Sequence, residues 1–293
     1  MNTSTNSHPD SAAQTPIAQW QTVAFQGVAG AYAHIAAQNA CPHAQAVPSE
    51  TFAAAIAKVE SGECDGACLP VENNSMGRIA DIHALLPQTS LKIVGEYYLP
   101  VTHCLIGLKG AKMAEISAVY SQLPALEQCK NTLKSLNLKP EPYIDTAGSA
   151  KLIAEKQDPT LAAIASSLAA EVYPGLEVLK SPMNDHSHNT TRFLLLGREG
   201  FTPSPDTPTK TTLLFKVRDI PAALYKALGG FATNGINLSR LESYLVGGTF
   251  NAAEFFVDIE AHPADPRMLG AMDELAHFTT EIRSMGSYPS AIQ

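Results

Sequence analysis

Short apolar runs of strand length alternate with segments of helical periodicity through the first two thirds of the chain. In one helical segment Phe52, Ile56 and Val59 lie at i, i+4 and i+7, which predicts one buried stripe with Ser49 as the N-cap. The other elements predicted here are strands at residues 23–25, 66–71, 92–98 and 101–107, and helices at residues 32–39 and 79–86. Repeated βα units predict parallel-rich sheets with helices on both faces.

A second series of the same kind follows. It comprises predicted strands at residues 118–120, 143–144 and 162–164, and predicted helices at residues 126–136, 148–155 (capped around Thr146) and 166–172. Two series joined by strands near Pro100 suggest two α/β lobes that face a cleft. The strand predicted at residues 191–196 would then return to the first lobe.

The last third of the chain has a different pattern of apolar and polar residues. Residues 200–210 are rich in proline and show no periodicity, which is typical of a linker. Beyond them Leu213, Phe215 and Val217 alternate as a half-buried strand, and the element order becomes βαββαβ. This order predicts an α+β, ferredoxin-like domain.

The second strand of this domain carries two further signals. The apolar parity changes between Leu238 and Leu241, which suggests a β-bulge, and Gly247 with Gly248 suggests a hairpin turn. A sheet of this kind has exposed edges and commonly pairs with another copy, so we expect a homo-oligomer.

These boundaries predict four parts. They are a disordered tail at residues 1–20, a two-lobed domain at residues 21–199 (lobes of about 21–100 with 183–199, and 101–182), a linker at residues 200–210 and a βαββαβ domain at residues 211–293.

Composition narrows the classes of partner. The formal charge of −8 argues against a nucleic-acid binder, although a small anion could still bind at backbone N–H groups or a single arginine. No apolar run reaches the roughly 18–20 residues that a membrane span requires. The polar start lacks the pattern of a signal peptide, and we therefore expect a cytoplasmic protein without a membrane partner.

Metal binding is not favoured by the sequence. Cys64 and Cys68 lie close together without a second pair at zinc spacing, so buried or free thiols are expected. Asp185, His186 and His188 form a polar cluster, but a further ligand is not evident.

Three segments could carry chemistry. The turn at residues 27–30 joins a strand to a helix and could bring Gly27 and Gly30 against a carboxylate, or it could be a simple tight turn. Residues 70–77 place an acid and neutral polar side chains just past a buried strand, where ligands sit in open α/β sheets, although loop capping is equally compatible. Residues 189–193 place a hydroxyl beside a guanidinium, a combination that suits an anionic substrate with a leaving oxygen.

From residue 23 to residue 289 the chain resembles the prephenate dehydratase family with its C-terminal ACT domain, a small ligand-sensing module. The motifs that carry the resemblance are Gly27-Val28-Ala29-Gly30-Ala31-Tyr32, Pro70-Val71-Glu72-Asn73, Ser121 with Leu126-Glu127-Gln128-Cys129, Asp145-Thr146-Ala147-Gly148-Ser149-Ala150, Ala165-Ser166-Ser167-Leu168-Ala169-Ala170, Asp185, Asn189, Thr191-Arg192-Phe193, Pro221-Ala222-Ala223-Leu224, Ile236-Asn237-Leu238, Leu241-Glu242-Ser243 and Gly286-Ser287-Tyr288-Pro289.

The resemblance implies a two-lobed catalytic domain like that of periplasmic binding proteins, which converts prephenate to phenylpyruvate and needs no metal or organic cofactor. It implies Thr191 as the essential hydroxyl. The residues implied around the substrate are Asn73, Glu72, Ser121, Gln128, Arg192, Gly27 and Gly30. We hypothesise that Thr191 donates a hydrogen bond to the leaving oxygen, with protons relayed from Glu72 or water. Arg192 would hold a carboxylate, unless strand alternation turns it away from the cleft.

For the C-terminal domain the resemblance implies that phenylalanine binds between paired ACT domains and inhibits the enzyme, in a dimer or tetramer. The residues that would line this pocket are Ala222, Ala223, Leu224, Asn237, Leu238, Glu242 and Ser243. The chain departs from the family pattern where Asn74 replaces Ser, where Gln122-Leu123-Pro124 replaces His-Pro-Gln, and where Ala222 replaces Gly.

Three alternatives remain open from the sequence. An arogenate dehydratase, or a cyclohexadienyl dehydratase with both activities, differs only in accepting an amino group at the side-chain keto position. A two-lobed small-molecule binding protein would use the same cleft without chemistry. A purely regulatory ACT protein is disfavoured by the presence of Thr191.

Overall fold

A computed structural model describes residues 15–245 and 253–291. The described residues divide into two compact units, one formed by residues 20–198 with residue 291 and the other by residues 15–19 with 199–290. Among the described residues, none of the helices combines the length and the apolar character needed to cross a membrane.

The first unit begins with the expected βα alternation. Its first elements are β1 (Thr22–Gln26), α1 (Tyr32–Ala40), β2 (Gln45–Ser49), α2 (Phe52–Glu60), β3 (Gly66–Asn73), β4 (Gly77–Arg78), α3 (Ala80–Leu85) and β5 (Lys92–Pro100). The chain continues through β6 (Cys104–Leu108), β7 (Ala118–Ser121), α4 (Leu123–Gln128), α5 (Lys130–Ser135), β8 (Lys139–Pro142), α6 (Thr146–Lys156), β9 (Leu161–Ala165), α7 (Ser167–Val172), β10 (Leu176–Lys180) and β11 (Thr190–Gly197).

Two sheets organise these elements into two lobes. The first has the order β2-β1-β3-β11-β5, with β4 paired to β3, and the second has the order β10-β6-β9-β7-β8. In each sheet three neighbouring strands run parallel and the others pair antiparallel. The last strand, β11, lies between β3 and β5, which confirms that the chain returns to the first lobe.

The pairing of β3 with β11 is interrupted by one β-bulge. Thr191 lies opposite Asn73 and Arg192 opposite Glu72, but Phe193 lies opposite Pro70, so Val71 is the extra residue of a bulge. The carbonyl of Val71 accepts hydrogen bonds from the backbone of Ile79 and from the His83 ring, which satisfies it outside the ladder.

The second unit contains β12 (Thr209–Val217), α8 (Ala223–Thr233), β13 (Leu238–Leu245), β14 (Ala253–Ile259), α9 (Pro266–Phe278) and β15 (Thr279–Pro289). The order is the expected βαββαβ, and the sheet order is β13-β14-β12-β15. The core between helices and sheet is built from apolar residues such as Phe215, Phe231 and Leu275. The register shifts between Leu238 and Arg240, which confirms the predicted bulge.

Several predicted details are wrong. The N-cap of α2 is Thr51, whose hydroxyl accepts from the Ala54 N–H, while Ser49 ends β2. Residues 143–144 are not a strand, because the pairing with β7 ends at Pro142, and Asp145 caps α6. The helix predicted at 126–136 is two helices, α4 and α5, which meet at Cys129.

The disordered tail predicted for residues 1–20 is wrong for residues 16–20. Pro16–Gln19 form a 3₁₀ turn, and the indole of Trp20 is buried against Gly66, where a Cβ would overlap the ring. The rest of the predicted tail and the predicted turn at Gly247–Gly248 lie outside the described residues.

Ala222 has a left-handed backbone, with φ 58°, at the N-cap of α8. This conformation costs an L-residue about 1–2 kcal/mol, and a glycine avoids that cost while it loses about 0.4–1 kcal/mol through the entropy of the unfolded chain. We therefore expect Ala222→Gly to raise the free energy of unfolding by about 0.5–1 kcal/mol, measured by urea denaturation. Ala232→Gly, at an exposed position inside α8, should lower it by a similar amount.

Candidate functional site

A cavity of about 500 Å³ lies between the two lobes of the first unit. Residues of the first lobe that line it include Gly27, Tyr32, Asn73, Arg78, Asn189, Thr191 and Phe193. The second lobe contributes His103, Gln122, Pro124, Gln128, Asp145 and Thr146. The lining is mainly apolar side chains and neutral amides, with few full charges.

Thr191 is the second residue of β11, and its side chain faces this cavity. It is directly opposite Asn73 on β3, and directly opposed residues of an antiparallel pair share one face of the sheet. The Asn73 Nδ2 donates to Thr191 Oγ1 over 2.9 Å. The oxygen is therefore used as an acceptor, and within the described part of the chain the hydroxyl is not seen to donate to a protein acceptor. The O–H of Thr191 is available to a ligand in the cleft.

The orientation of the Asn73 amide is fixed on both sides. Its Oδ1 accepts from the backbone N–H groups of Ser75 and Met76 and from the Ser75 hydroxyl, at 2.9–3.0 Å. Its Nδ2 donates to Asn189 Oδ1 over 2.7 Å as well as to Thr191. Because an amide oxygen can only accept, this arrangement cannot be reversed without losing several bonds.

Gln128, at the end of α4, brings the second lobe to the same cluster. Its Nε2 donates to Ser75 Oγ over 2.7 Å, and its Oε1 accepts from Asn189 Nδ2 over 3.2 Å. The ring of His103 contacts the same Oε1 through Nε2 at 2.8 Å. The Nδ1 of that ring lies 2.8 Å from the hydroxyl of Tyr32.

Burial controls the protonation of these two rings. The pKa of His103 is lowered from its ordinary value by burial, partly offset by the bond to Gln128. The pKa of Tyr32 is raised well above its ordinary value, mainly by burial. Near neutral pH, His103 is therefore neutral and Tyr32 keeps its proton.

Two predicted site residues are placed elsewhere by the structure. Arg192 is buried on the opposite face of β11, where its Nε donates to Glu96 over 2.8 Å and its Nη1 to Glu72 over 2.9 Å. Neither Arg192 nor Glu72 lines the cavity, which corrects both the expected carboxylate contact and the expected proton relay from Glu72. The physical reason is strand alternation, because Thr191 and Asn73 occupy the face toward the cleft.

Ser121 is also turned away from the cavity. Its side chain is fully buried, and its hydroxyl donates to the Ile164 carbonyl over 2.7 Å, so it ties β7 to β9. The neighbouring Gln122 and Pro124 line the cavity in its place.

Gly27 and Gly30 have different roles. Gly27 lines the cavity with φ 110°. Gly30, with φ 86°, packs against the start of α7, where an added Cβ would lie 2.9 Å from the Ala169 Cα. The Gly30 carbonyl also accepts from the Ser166 hydroxyl over 2.6 Å. Gly30 therefore joins the two lobes and is not among the residues that line the cavity.

Asn189, His103 and Tyr32 were not predicted as substrate contacts. Asn189 could have been selected from the segment that carries Thr191, since it belongs to the same motif. Tyr32 ends the motif that starts at Gly27, whereas His103 belongs to none of the motifs, and only the meeting of the lobes brings their side chains together.

The remaining candidates are structural. Asp185 accepts hydrogen bonds from the backbone of Asn131 and Thr132 and so caps α5. All five cysteines are buried thiols, and burial raises the pKa of Cys41 and of Cys129 to about 12, which keeps both protonated. Groups of three or more metal-ligating side chains do not occur in residues 15–245 and 253–291.

The model of the family described as "Prephenate dehydratase" matches residues 23–200, more than half of the chain. The chain belongs to the prephenate dehydratase family. It is 43% identical over 270 residues to the bifunctional N-acyl-homoserine lactone acylase/prephenate dehydratase of Komagataeibacter europaeus, covering 92% of this chain and 96% of that one. It is 42% identical to arogenate dehydratase 2 of Petunia hybrida, covering 92% of this chain and 71% of the relative.

Solved structures of the family are similar over nearly the whole chain. The structure titled "GqqA- a novel type of quorum quenching acylases" has a TM-score of 0.87 at 42% identity, and covers 92% of this chain and 98% of that one. The prephenate dehydratase from Arthrobacter aurescens in complex with L-Phe has a TM-score of 0.83 at 30% identity, with 93% of each chain covered. Family membership decides against the solute-binding alternative.

The ion pairs of Arg192 generate a prediction about stability. The Glu96 side chain is fully buried, so removing its cation leaves a buried charge, and we expect Arg192→Met to lower the free energy of unfolding by about 3–5 kcal/mol. Lys139→Met, which removes the exposed ion pair with Glu141, should change the free energy of unfolding far less. Chemical denaturation compares the two variants. A stable Arg192→Met protein with a KM for prephenate raised tenfold would instead restore Arg192 as a substrate contact.

Proposed function

We propose that this chain is a carbon–oxygen lyase that converts prephenate to phenylpyruvate, CO₂ and water in phenylalanine biosynthesis. The observation that carries the proposal is the hydrogen bond from Asn73 to Thr191, because it leaves the threonine hydroxyl to donate into the cleft. The sequence also predicts a cytoplasmic location for this activity.

The reaction requires help for a poor leaving group. As the bond between the ring and its carboxylate breaks, its electron pair enters the ring, and the C4–O bond breaks as the ring becomes aromatic. The departing hydroxyl takes up one proton and leaves as water. Thr191 is too weak an acid to be the proton source, so it donates a hydrogen bond to the leaving oxygen while one proton is taken up from the solvent, which makes water the net product. Such assistance is typically worth about 10²–10⁴-fold in rate.

The rest of the cleft suits a decarboxylation. Neutral amides of Asn73, Gln128 and Asn189 surround Thr191, and a weakly solvating environment favours the conversion of a carboxylate to CO₂. Arg78 lines the cavity and provides positive charge for a substrate carboxylate, the role first expected of Arg192.

Arogenate is the alternative substrate, because the Petunia relative is named an arogenate dehydratase. The two substrates differ only where prephenate carries a keto oxygen and arogenate an ammonium group. We propose prephenate because the K. europaeus relative, named in part a prephenate dehydratase, covers nearly the same length as this chain. Comparing kcat/KM for the two substrates decides between them, and a higher value for arogenate would reverse the proposal.

Phenylalanine is the proposed effector. The support is the A. aurescens relative, whose structure contains L-Phe, together with the matching βαββαβ unit. Ala222, Ala223 and Leu224 lie at the start of α8, and Asn237, Leu238, Glu242 and Ser243 lie just before and along β13. Because β13 is an edge strand, it can meet a second copy and form a dimer or tetramer with the binding site between copies. Feedback follows if phenylalanine binds one quaternary state more tightly.

The catalytic assignment is tested at Thr191. Thr191→Val keeps the shape of the side chain and removes the donor, so we expect kcat for phenylpyruvate formation to fall about 10²–10⁴-fold. Thr191→Ser should keep much of the activity. Thr190→Val changes the adjacent residue, which bonds to Asn74 through its backbone N–H and carbonyl, and serves as the matched control. Near wild-type turnover by Thr191→Val would refute the assignment.

The regulatory assignment is tested by calorimetry with phenylalanine. We expect saturable binding and loss of dehydratase activity, both weakened by Ser243→Trp, which fills the proposed pocket at an exposed position of β13. Native mass spectrometry should show an even number of chains. If millimolar phenylalanine gives no binding heat, the unit serves only for association.

A further inference from the structure

We propose that His103 is a positioning residue for the dehydratase reaction, and that it acts by fixing the amide of Gln128 across the cleft. The inference rests on the proposed function and adds a residue of the second lobe that the motifs around Thr191 do not include.

The direction of the hydrogen bonds carries the argument. The Oε1 of Gln128 can only accept, so the His103 Nε2, 2.8 Å away, must carry the hydrogen. Asn189 Nδ2 donates to the same oxygen over 3.2 Å. With Oε1 held by two donors, the Nε2 of Gln128 faces the first lobe and donates to Ser75 Oγ over 2.7 Å.

This bond joins the lobes next to Thr191. The Ser75 hydroxyl donates onward to Asn73 Oδ1 over 2.9 Å, and Asn73 holds the Thr191 oxygen. If the Gln128 amide turned over, its NH₂ group would face the Asn189 donor, and the His103 proton would have to move from Nε2 to Nδ1. Its oxygen would also take the Ser75 hydroxyl away from Asn73. His103 therefore determines which way the amide points, and so how the second lobe is placed over the reacting hydroxyl.

Tyr32 supports the ring in either protonation state. Its hydroxyl has two acceptors within reach, the His103 Nδ1 at 2.8 Å and the Thr102 carbonyl at 3.0 Å. It donates to Nδ1 when the imidazole is neutral, and when the imidazole is charged it can donate to the carbonyl and accept from Nδ1. The Nε2–H that reaches Gln128 is present in both states, so His103 acts through position and does not supply the proton.

Two isosteric substitutions separate the two nitrogens. His103→Gln places an amide N–H where Nε2 was and keeps the donor to Gln128. His103→Asn reaches only as far as Nδ1 and loses that donor. We expect His103→Asn to lower kcat for prephenate by about 10- to 100-fold with a smaller change in KM, because misplacement of reacting groups by about 1 Å costs this much. His103→Gln should keep most of the wild-type kcat and the wild-type pH profile.

Two controls distinguish positioning from loss of folding. His83→Asn removes another buried imidazole, bonded to the Val71 carbonyl at 3.0 Å, and should lower the melting temperature with kcat near wild type. In a Gln128→Leu background, His103→Asn should cause no further loss of kcat, because its effect passes through Gln128.

Equal impairment of His103→Asn and His103→Gln would overturn the inference, as would full turnover by His103→Asn or additive losses in the double variant. An acidic limb in the wild-type pH profile that His103→Gln removes would also overturn it, since it would make His103 a proton donor. Failure of the proposed function is a different result, in which the wild-type chain forms no phenylpyruvate from prephenate. If that chain is active on arogenate, the same variants are compared on arogenate.

Discussion

The hydrogen bond between Asn73 and Thr191 depends on the register of two antiparallel strands that are more than a hundred residues apart in the chain. Because β11 returns between β3 and β5, the two side chains stand directly opposite each other on the face toward the cleft. The amide then uses the acceptor capacity of the hydroxyl and leaves its proton to a ligand. A register shift of one residue would turn Thr191 to the opposite face of the sheet and bring Arg192 to the face toward the cleft.

The same register explains the buried charges behind the site. Arg192 lies between Glu72 on β3 and Glu96 on β5, so three neighbouring strands of the first lobe are joined on the face away from the cleft. A buried arginine with two carboxylates is costly to separate, and it favours one register over its neighbours. The charged residues beside Thr191 thus stabilise the sheet, and the cleft keeps a mostly neutral lining.

The cleft is also held from the second lobe. The turn that ends at Gly30 packs against α7 so closely that a side chain would not fit, and its carbonyl accepts from Ser166. At the other side, Gln128 bonds to Ser75 and Asn189. Close backbone packing at one contact and directional amide bonds at the other together fix where the second lobe stands above Thr191. A reaction that needs a single well-aligned donor requires this kind of placement.

The sequence by itself determined the repeated βα pattern, the βαββαβ unit, the bulge near Leu238 and the motifs that contain Asn73, Gln128 and Thr191. Periodicity and local turn chemistry are properties of neighbouring residues, and they can be read without knowledge of distant contacts. Tertiary structure decided the face on which each motif residue lies. It placed Arg192 and Glu72 on the face of the sheet away from the cleft. It directed the Ser121 hydroxyl to the Ile164 carbonyl, and it brought His103 and Tyr32 together at the cleft. Strand register and the meeting of two lobes set these directions, because they depend on residues far apart in the chain.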